Sequence, residues 1–223
     1  MSENQVIAVL GGTGHEGAGL AMRWAKAGLT VVIGSRDAAR AAEKAAEIAA
    51  LTGGTVSGAD NAAAAAAAAV VVLAVPYAGQ AATAQSVAAE LQGKILIDVT
   101  VPLVPPKVAR VQLPEGGSAV EALQRRLGEG VKVVSAFQNV SAHQLADLAH
   151  DVDCDVLVTG DDEAARETVC DLARKAGMRA SASGPSSSPP RAGARAGVLI
   201  SINRRYKVAA GAGIRITGIP DQA

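Results

Sequence analysis

Val6-Ile7-Ala8-Val9-Leu10-Gly11-Gly12-Thr13-Gly14-His15-Glu16-Gly17 is the stretch that decides the fold. A short apolar run rich in branched residues reads as a buried strand and stops at glycine. Glycines then stand at 12, 14 and 17, the G-x-G-x-x-G spacing, immediately before a helical pattern. In that context Gly12 serves the tight turn, Gly14 the close approach of a pyrophosphate, and Gly17 the packing of the helix on the sheet. The helix start adds free N–H groups and a partial positive charge for the anion.

Outward from this loop, strands and helices alternate. Gly19 to Gly28 reads as a helix and Thr30 to Ile33 as a strand. Ala38 to Ala50 is an Ala-rich helix, followed by a short strand at Thr55 to Ser57. The alanine run Ala62 to Ala69 is expected as a short helix capped by Asp60 or Asn61. Strand Val70 to Val75, helix Gln80 to Leu91 and strand Ile95 to Val99 come next. A proline-bearing loop at 101–117 leads to helix Ala119 to Leu127 and strand Val131 to Ala136. A helix is also expected to carry both His143 and His150. Strand Asp155 to Thr159 and helix Asp162 to Ala176 then precede a Ser/Pro/Gly/Arg-rich stretch. Repeated strand–helix–strand links need crossovers, so the expected fold is α/β: a Rossmann-type doubly wound parallel sheet with a small C-terminal α+β domain. The expected division is residues 1–152 and 153–223.

The second strand chooses the nucleotide. Its end reads Gly34-Ser35-Arg36, with Arg where an NAD-binding chain places an acid for the ribose hydroxyl. A guanidinium offers a fork of donors to a 2′-phosphate, and Ser35 adds a hydroxyl. Arg40 follows one helical turn after Arg36. This pattern selects NADP(H) over NAD(H).

Composition excludes several classes. The 223 residues carry 21 Lys plus Arg and 21 Asp plus Glu, so no net charge draws the chain to nucleic acid or an anionic membrane. Four aromatic side chains are too few to stack a run of bases. No apolar run approaches the roughly 18 to 20 residues of a membrane span. Cys154 and Cys170 are too few and too far apart for a disulfide framework or zinc cluster, which suggests reduced cysteines in the cytoplasm. The histidines have no ligand spacing for a metal.

The chain resembles the NADPH-dependent coenzyme F420 reductases, the 8-hydroxy-5-deazaflavin:NADPH oxidoreductases. The resemblance lies in Val-Leu-Gly-Gly-Thr-Gly (9–14), Val-Ile-Gly-Ser-Arg (32–36), Val-Leu-Ala-Val-Pro-Tyr (72–77) and Val-Val-Ser-Ala-Phe-Gln-Asn-Val (133–140). Asp-Val-Leu-Val-Thr-Gly-Asp-Asp (155–162), Ile-Asn-Arg-Arg-Tyr-Lys (202–207) and Gly-Ile-Arg-Ile-Thr-Gly (213–218) extend it over nearly the whole chain. It implies hydride exchange between NADP(H) and coenzyme F420, with a small C-terminal domain closing over the nucleotide domain. Carried over by position, it implies that Thr13, Gly14, His15 and Glu16 hold the pyrophosphate. Ser35, Arg36 and Arg40 would hold the 2′-phosphate, and Val75, Gly79, Val101 and Ala142 would surround the nicotinamide half. It also implies a homodimer.

Such chemistry needs two flat rings held face to face and water kept out, without a protein nucleophile or metal. A donor near the deazaflavin ring would help; Ser135, Gln138 and Asn139 are candidates, while Tyr77 and Phe137 serve a ring or the core. Arg204, Arg205, Lys207 and Arg215 form a basic group suited to an anionic tail, a subunit interface or solvent. The alternatives are an imine or pyrroline-5-carboxylate type NADP reductase and, of another class, a catalytically silent NADPH-binding protein. Residues 186–197, Ser-Ser-Ser-Pro-Pro-Arg-Ala-Gly-Ala-Arg-Ala-Gly, keep the length of the resembling family but not its residues, as a doubly compensated frameshift would leave them. Their prolines and glycines are expected to weaken a helix there.

Overall fold

The computed structural model describes residues 5–102, 118–182, 184, 192–209 and 211–218. The expected loop falls mostly at 103–117 and the start of the atypical segment at 185–191, both outside the described residues.

Eight strands form one sheet in the order β3-β2-β1-β4-β5-β6-β7-β8. They are β1 (Val6–Leu10), β2 (Thr30–Ser35), β3 (Val56–Asp60), β4 (Val70–Leu73), β5 (Ile95–Asp98), β6 (Lys132–Ser135), β7 (Asp155–Gly160) and β8 (Arg179–Ala182). The first six are parallel, with β1 between β2 (Ala8 opposite Val32) and β4 (Ala8 opposite Val71). The chain winds outward through β2 and β3, then crosses back to β4. The carboxyl ends of β1 and β4 therefore flank the switch point where open α/β sheets bind ligands.

The segment after residue 152 continues the same sheet. β7 runs antiparallel to β6, with Val134 opposite Gly160 and Ser135 opposite Thr159, and β8 lies parallel to β7. The tail strengthens this edge: the Asp155 N–H donates to Ile214 O at 2.7 Å and the Ile216 N–H to Asp155 Oδ2 at 2.6 Å. Arg215 lies 3.1 Å from Asp153 Oδ1, so it serves this docked tail rather than a cluster with Arg204.

Alternating strand residues bury opposite faces. Ile7, Val9, Val31, Ile33, Val72, Ile97 and Val134 pack under α1 (His15–Lys26) and α2 (Ala38–Thr52) on one side, with α6 (Ala142–Ala146) and α7 (Glu163–Lys175) continuing that layer. Leu10, Val71, Leu73, Leu96 and Val133 pack under α3 (Asn61–Ala66), α4 (Tyr77–Ser86) and α5 (Ala119–Leu127) on the other. Caps set the helix starts: Asp37 accepts from Ala39 and Arg40 N–H, Asp60 from Ala63, Ser118 from Glu121 and Asp162 from Ala165.

Five expectations shift. α1 begins at His15, not Gly19, so Gly17 of the motif is itself helical. A Cβ on Gly19 would stand 2.6 Å from Leu145 Cβ, so glycine there admits α6. α4 begins directly after Pro76 and ends before the predicted Leu91. α6 is a single short turn that carries His143 but not His150, whose Nδ1 lies 2.9 Å from Asp147 Oδ2. Finally, α8 (Ala192–Tyr206) is helical from Ala192 despite Gly193 and Gly197, and β8 (Arg179–Ala182) is a strand that was not expected.

Candidate active site

The turn after β1 is built by glycines that act differently from the motif reading. Gly11 takes the left-handed conformation (φ 79°), and a Cβ there would lie 2.4 Å from Ala74 O. Gly12 is required by packing instead, since its Cβ would meet Val9 O at 2.8 Å. Gly17 brings α1 against the loop: its Cβ would stand 2.8 Å from Gly11 O and 2.9 Å from Gly12 Cα. Gly14 is the N-cap of α1, exposed, with no side chain capping the first-turn N–H groups. Those donors need an acceptor, and an anion laid over Gly14 would supply it. The cradle thus fits a pyrophosphate, with Thr13 and His15 beside it.

Beyond the loop lies a slot of about 330 Å³ at the carboxyl ends of β1, β4, β5 and β6. Glu16, Val75, Val101 and Pro76 line it together with Thr100 and Gln138. Val99, Tyr77, Phe137 and Val140 complete its apolar walls. Phe137 is fully buried, adopts φ 71° and meets Trp24 edge to face with ring centroids 5.9 Å apart. A bulky residue in the left-handed region costs energy, so the strand exit at the slot is held by its packing.

Beneath the slot is a network that sequence reasoning missed. Asp98, fully buried, accepts from Gln80 Nε2 (2.5 Å) and the Thr100 N–H (3.0 Å). Gln80 Nε2 also donates to Thr100 Oγ1 at 2.8 Å. Gln138 Nε2 donates to Asp98 O (2.6 Å) and Ser135 Oγ (2.8 Å). Burial pushes the Asp98 carboxyl up to about 6, opposed by its bonds to Thr100 and Gln80. Of the three donor candidates, only Gln138 lines the slot. Ser135 lies beneath it as Gln138's acceptor, and Asn139 Nδ2 is turned to Asp155 O (2.9 Å) and Cys154 Sγ (3.1 Å).

The remaining predicted residues fall in three places. Ser35 is half-buried at the end of β2, while Arg36 and Arg40 are exposed beside it. Asp37, adjacent to Arg36, spends its carboxylate on capping α2, so Oδ1 is engaged by Ala39 and Arg40 N–H at 3.0 and 3.2 Å. Gly79 sits in the first turn of α4 and does not line the slot. Ala142 lines a separate groove of about 470 Å³ with His15, Met22 and His143. Among the described residues no group of three or more His, Cys, Asp or Glu could hold a metal ion. Among them too, no helix is long and apolar enough to cross a membrane.

Comparison with known proteins places the chain in one family. Residues 6–102 match the family model for NADP oxidoreductase, coenzyme F420-dependent. The chain is 42% identical to the F420-dependent NADP reductase of Methanothermobacter thermautotrophicus over 97% of this chain and 96% of that protein. It is 43% identical to the protein of the same description from Methanocaldococcus jannaschii, over 96% of this chain and 98% of that one. A crystal structure from Arthrobacter sp. FB24, described as a candidate F420-dependent NADP-reductase, superposes with TM-score 0.76 at 29% identity. That alignment covers 92% of this chain and 96% of the other.

Proposed function

The chain belongs to the family of F420-dependent NADP reductases, and on that premise we propose that its slot holds the nicotinamide of NADP(H) against the deazaflavin of coenzyme F420 for hydride transfer. The observation that carries this is the continuity of cradle and slot: Gly14, His15 and Glu16, at the start of α1, line the same cavity as Val75, Thr100 and Val101. The two rings, when bound, supply the redox chemistry as donor and acceptor of a hydride.

The protein's part is placement. The free N–H groups at the start of α1 take the pyrophosphate over Gly12, Thr13, Gly14 and Gly17. Ser35, Arg36 and Arg40 take the 2′-phosphate, with the neighbouring Asp37 carboxylate withdrawn into its cap. Val75, Pro76, Val99 and Val101 exclude water from the rings. Thr100 and Gln138, fixed from below by Asp98 and Gln80, present polar atoms to the ring edges. Gly79 shapes the entry to α4, and Ala142 borders the nucleotide side through the groove it shares with His15.

We assign residues 1–152 to the nucleotide and residues 153–223 to the deazaflavin and a subunit contact. Exposed Tyr206, with Arg204 and Arg205 beside it on α8, supports a homodimeric contact or the anionic end of the deazaflavin. Free Cys154 and Cys170 suit the cytoplasm.

Mixing the protein with NADPH and oxidised F420 tests the function. Deazaflavin absorbance should be lost with NADPH and lost far more slowly with NADH. Binding of NADPH without loss of absorbance would identify a silent nucleotide-binding protein instead.

A further inference from the structure

Glu16 is the single acid among the described residues that line the slot, and its Oε1 is buried without a hydrogen-bond partner among them. It is the second residue of α1, where helix N–H groups ordinarily favour a carboxylate. Burial outweighs that preference and pushes the carboxyl up to about 8. No Lys or Arg among the described residues lines the slot to offset it. Among the described residues, the other titratable groups lining the slot are His15 on its own helix and Tyr77 of α4, with Asp98 of β5 below it, bonded to the Thr100 N–H. The segment after β4 and the 136–140 segment present uncharged side chains to the slot: Val75, Phe137, Gln138 and Val140.

A buried acid of this kind has two ways to be satisfied. As a neutral acid it needs an acceptor for its O–H. As a carboxylate it needs a positive charge. NADPH brings an uncharged ring with a carboxamide oxygen, whereas NADP+ brings a positively charged ring.

We propose that Glu16 discriminates the two redox states of the bound nicotinamide, lying beside NADPH as a neutral acid and beside NADP+ as a carboxylate. This rests on the reading that the nicotinamide occupies the slot. Binding and ionisation are then linked: NADP+ binding releases the Glu16 proton, and raising the pH favours NADP+ over NADPH at the site.

The test is the pH dependence of a ratio. Dissociation constants for NADPH, from its fluorescence, and for NADP+, by competition, are measured between about pH 6.5 and 9.5, a range that brackets a carboxyl raised by burial. The 2′-phosphate is common to both nucleotides, so its titration cancels. The ratio Kd(NADP+)/Kd(NADPH) is expected to fall about tenfold as Glu16 ionises, the scale of one charge pair in a partly screened site. In Glu16→Gln the ratio should be flat. A flat ratio in the wild type, or a slope that survives in Glu16→Gln, overturns the role of Glu16 while leaving the nucleotide site intact. A wild-type protein that binds neither nucleotide overturns the site and this inference together.

Discussion

Gln80 Nε2 lies 2.5 Å from Asp98 Oδ2 and 2.8 Å from Thr100 Oγ1, so one amide group ties α4 to the end of β5 directly under the slot. Both partners are buried, and Gln138 closes the arrangement from the other side by donating to Asp98 O. The network has a carboxylate at its centre with no paired cation among the described residues, and its bonds to Thr100 and Gln80 oppose the burial that raises Asp98 to about 6.

Gln80→Leu should therefore destabilise the protein by about 2 to 3 kcal/mol, the cost of leaving a buried carboxylate oxygen without its donor. The loss has a pH signature. The Asp98 carboxyl in the folded protein sits at about 6, above its ordinary value, so stability falls as pH rises through that interval. Removing the Gln80 donor raises it further and extends the fall to higher pH. Urea unfolding should show a larger wild-type to variant difference at pH 8 than at pH 5. Equal differences would mean that the Gln80 bond does not bear on the charge.

Glu16→Gln should stabilise the ligand-free protein above about pH 6, by an amount of order a few kcal/mol at pH 8. The wild-type carboxyl titrates at about 8 when folded and near 4.5 when unfolded, so folding must take up a proton between those values. The contribution lost by the wild type across that window is absent from the variant. Melting curves should converge at about pH 4, where the acid is neutral in both states. A variant less stable than the wild type at pH 8 would contradict the buried setting of Glu16.

Arg36→Glu should lower kcat/KM for NADPH by about 100-fold, since a charge-assisted contact is replaced by repulsion of the 2′-phosphate. NADH, which lacks that phosphate, should be used about as before. Equal damage to both nucleotides would remove Arg36 from the 2′-phosphate site.

Replacing Arg204 and Arg205 together by Gln should raise KM for F420 and weaken the dependence of that constant on salt. Both side chains are exposed at the end of α8, while Arg215 is already engaged by Asp153. An unchanged Michaelis constant would leave the pair to solvent or to a subunit contact.

How much of this was legible in the sequence varied with the range of the forces involved. β1, β2, β4 and β5 stand out because parallel strands buried on both faces are continuous apolar runs ended by Gly, Pro or a polar residue. The Asp60 cap and the alanine helix after it are likewise local chemistry. The start of α1 was obscured because Gly14 and Gly17 read as parts of the phosphate loop, which put the helix start at Gly19. Gly17 and Gly19 lie inside the helix, and each is glycine because Gly11 and Leu145 approach too closely for a side chain. The network under the slot gave no local signal: Asp98 ends an ordinary strand, and its side-chain partner Gln80 and backbone partner Gln138 lie 18 and 40 residues away. The expectation that Gly12 forms the tight turn placed the left-handed residue one position late. The motif fixes spacing, whereas the positive φ belongs to Gly11, where the chain passes Ala74 O.

The central claim is that the slot passes a hydride directly between two rings. NADPH deuterated at the transferring position, incubated with the protein and oxidised F420 in ordinary water, tests it. The account predicts that the deuterium appears on the reacting ring carbon of the reduced deazaflavin, with none washed out to solvent. Reduced deazaflavin that carries only solvent hydrogen at that carbon, or no reduced deazaflavin at all, would contradict it.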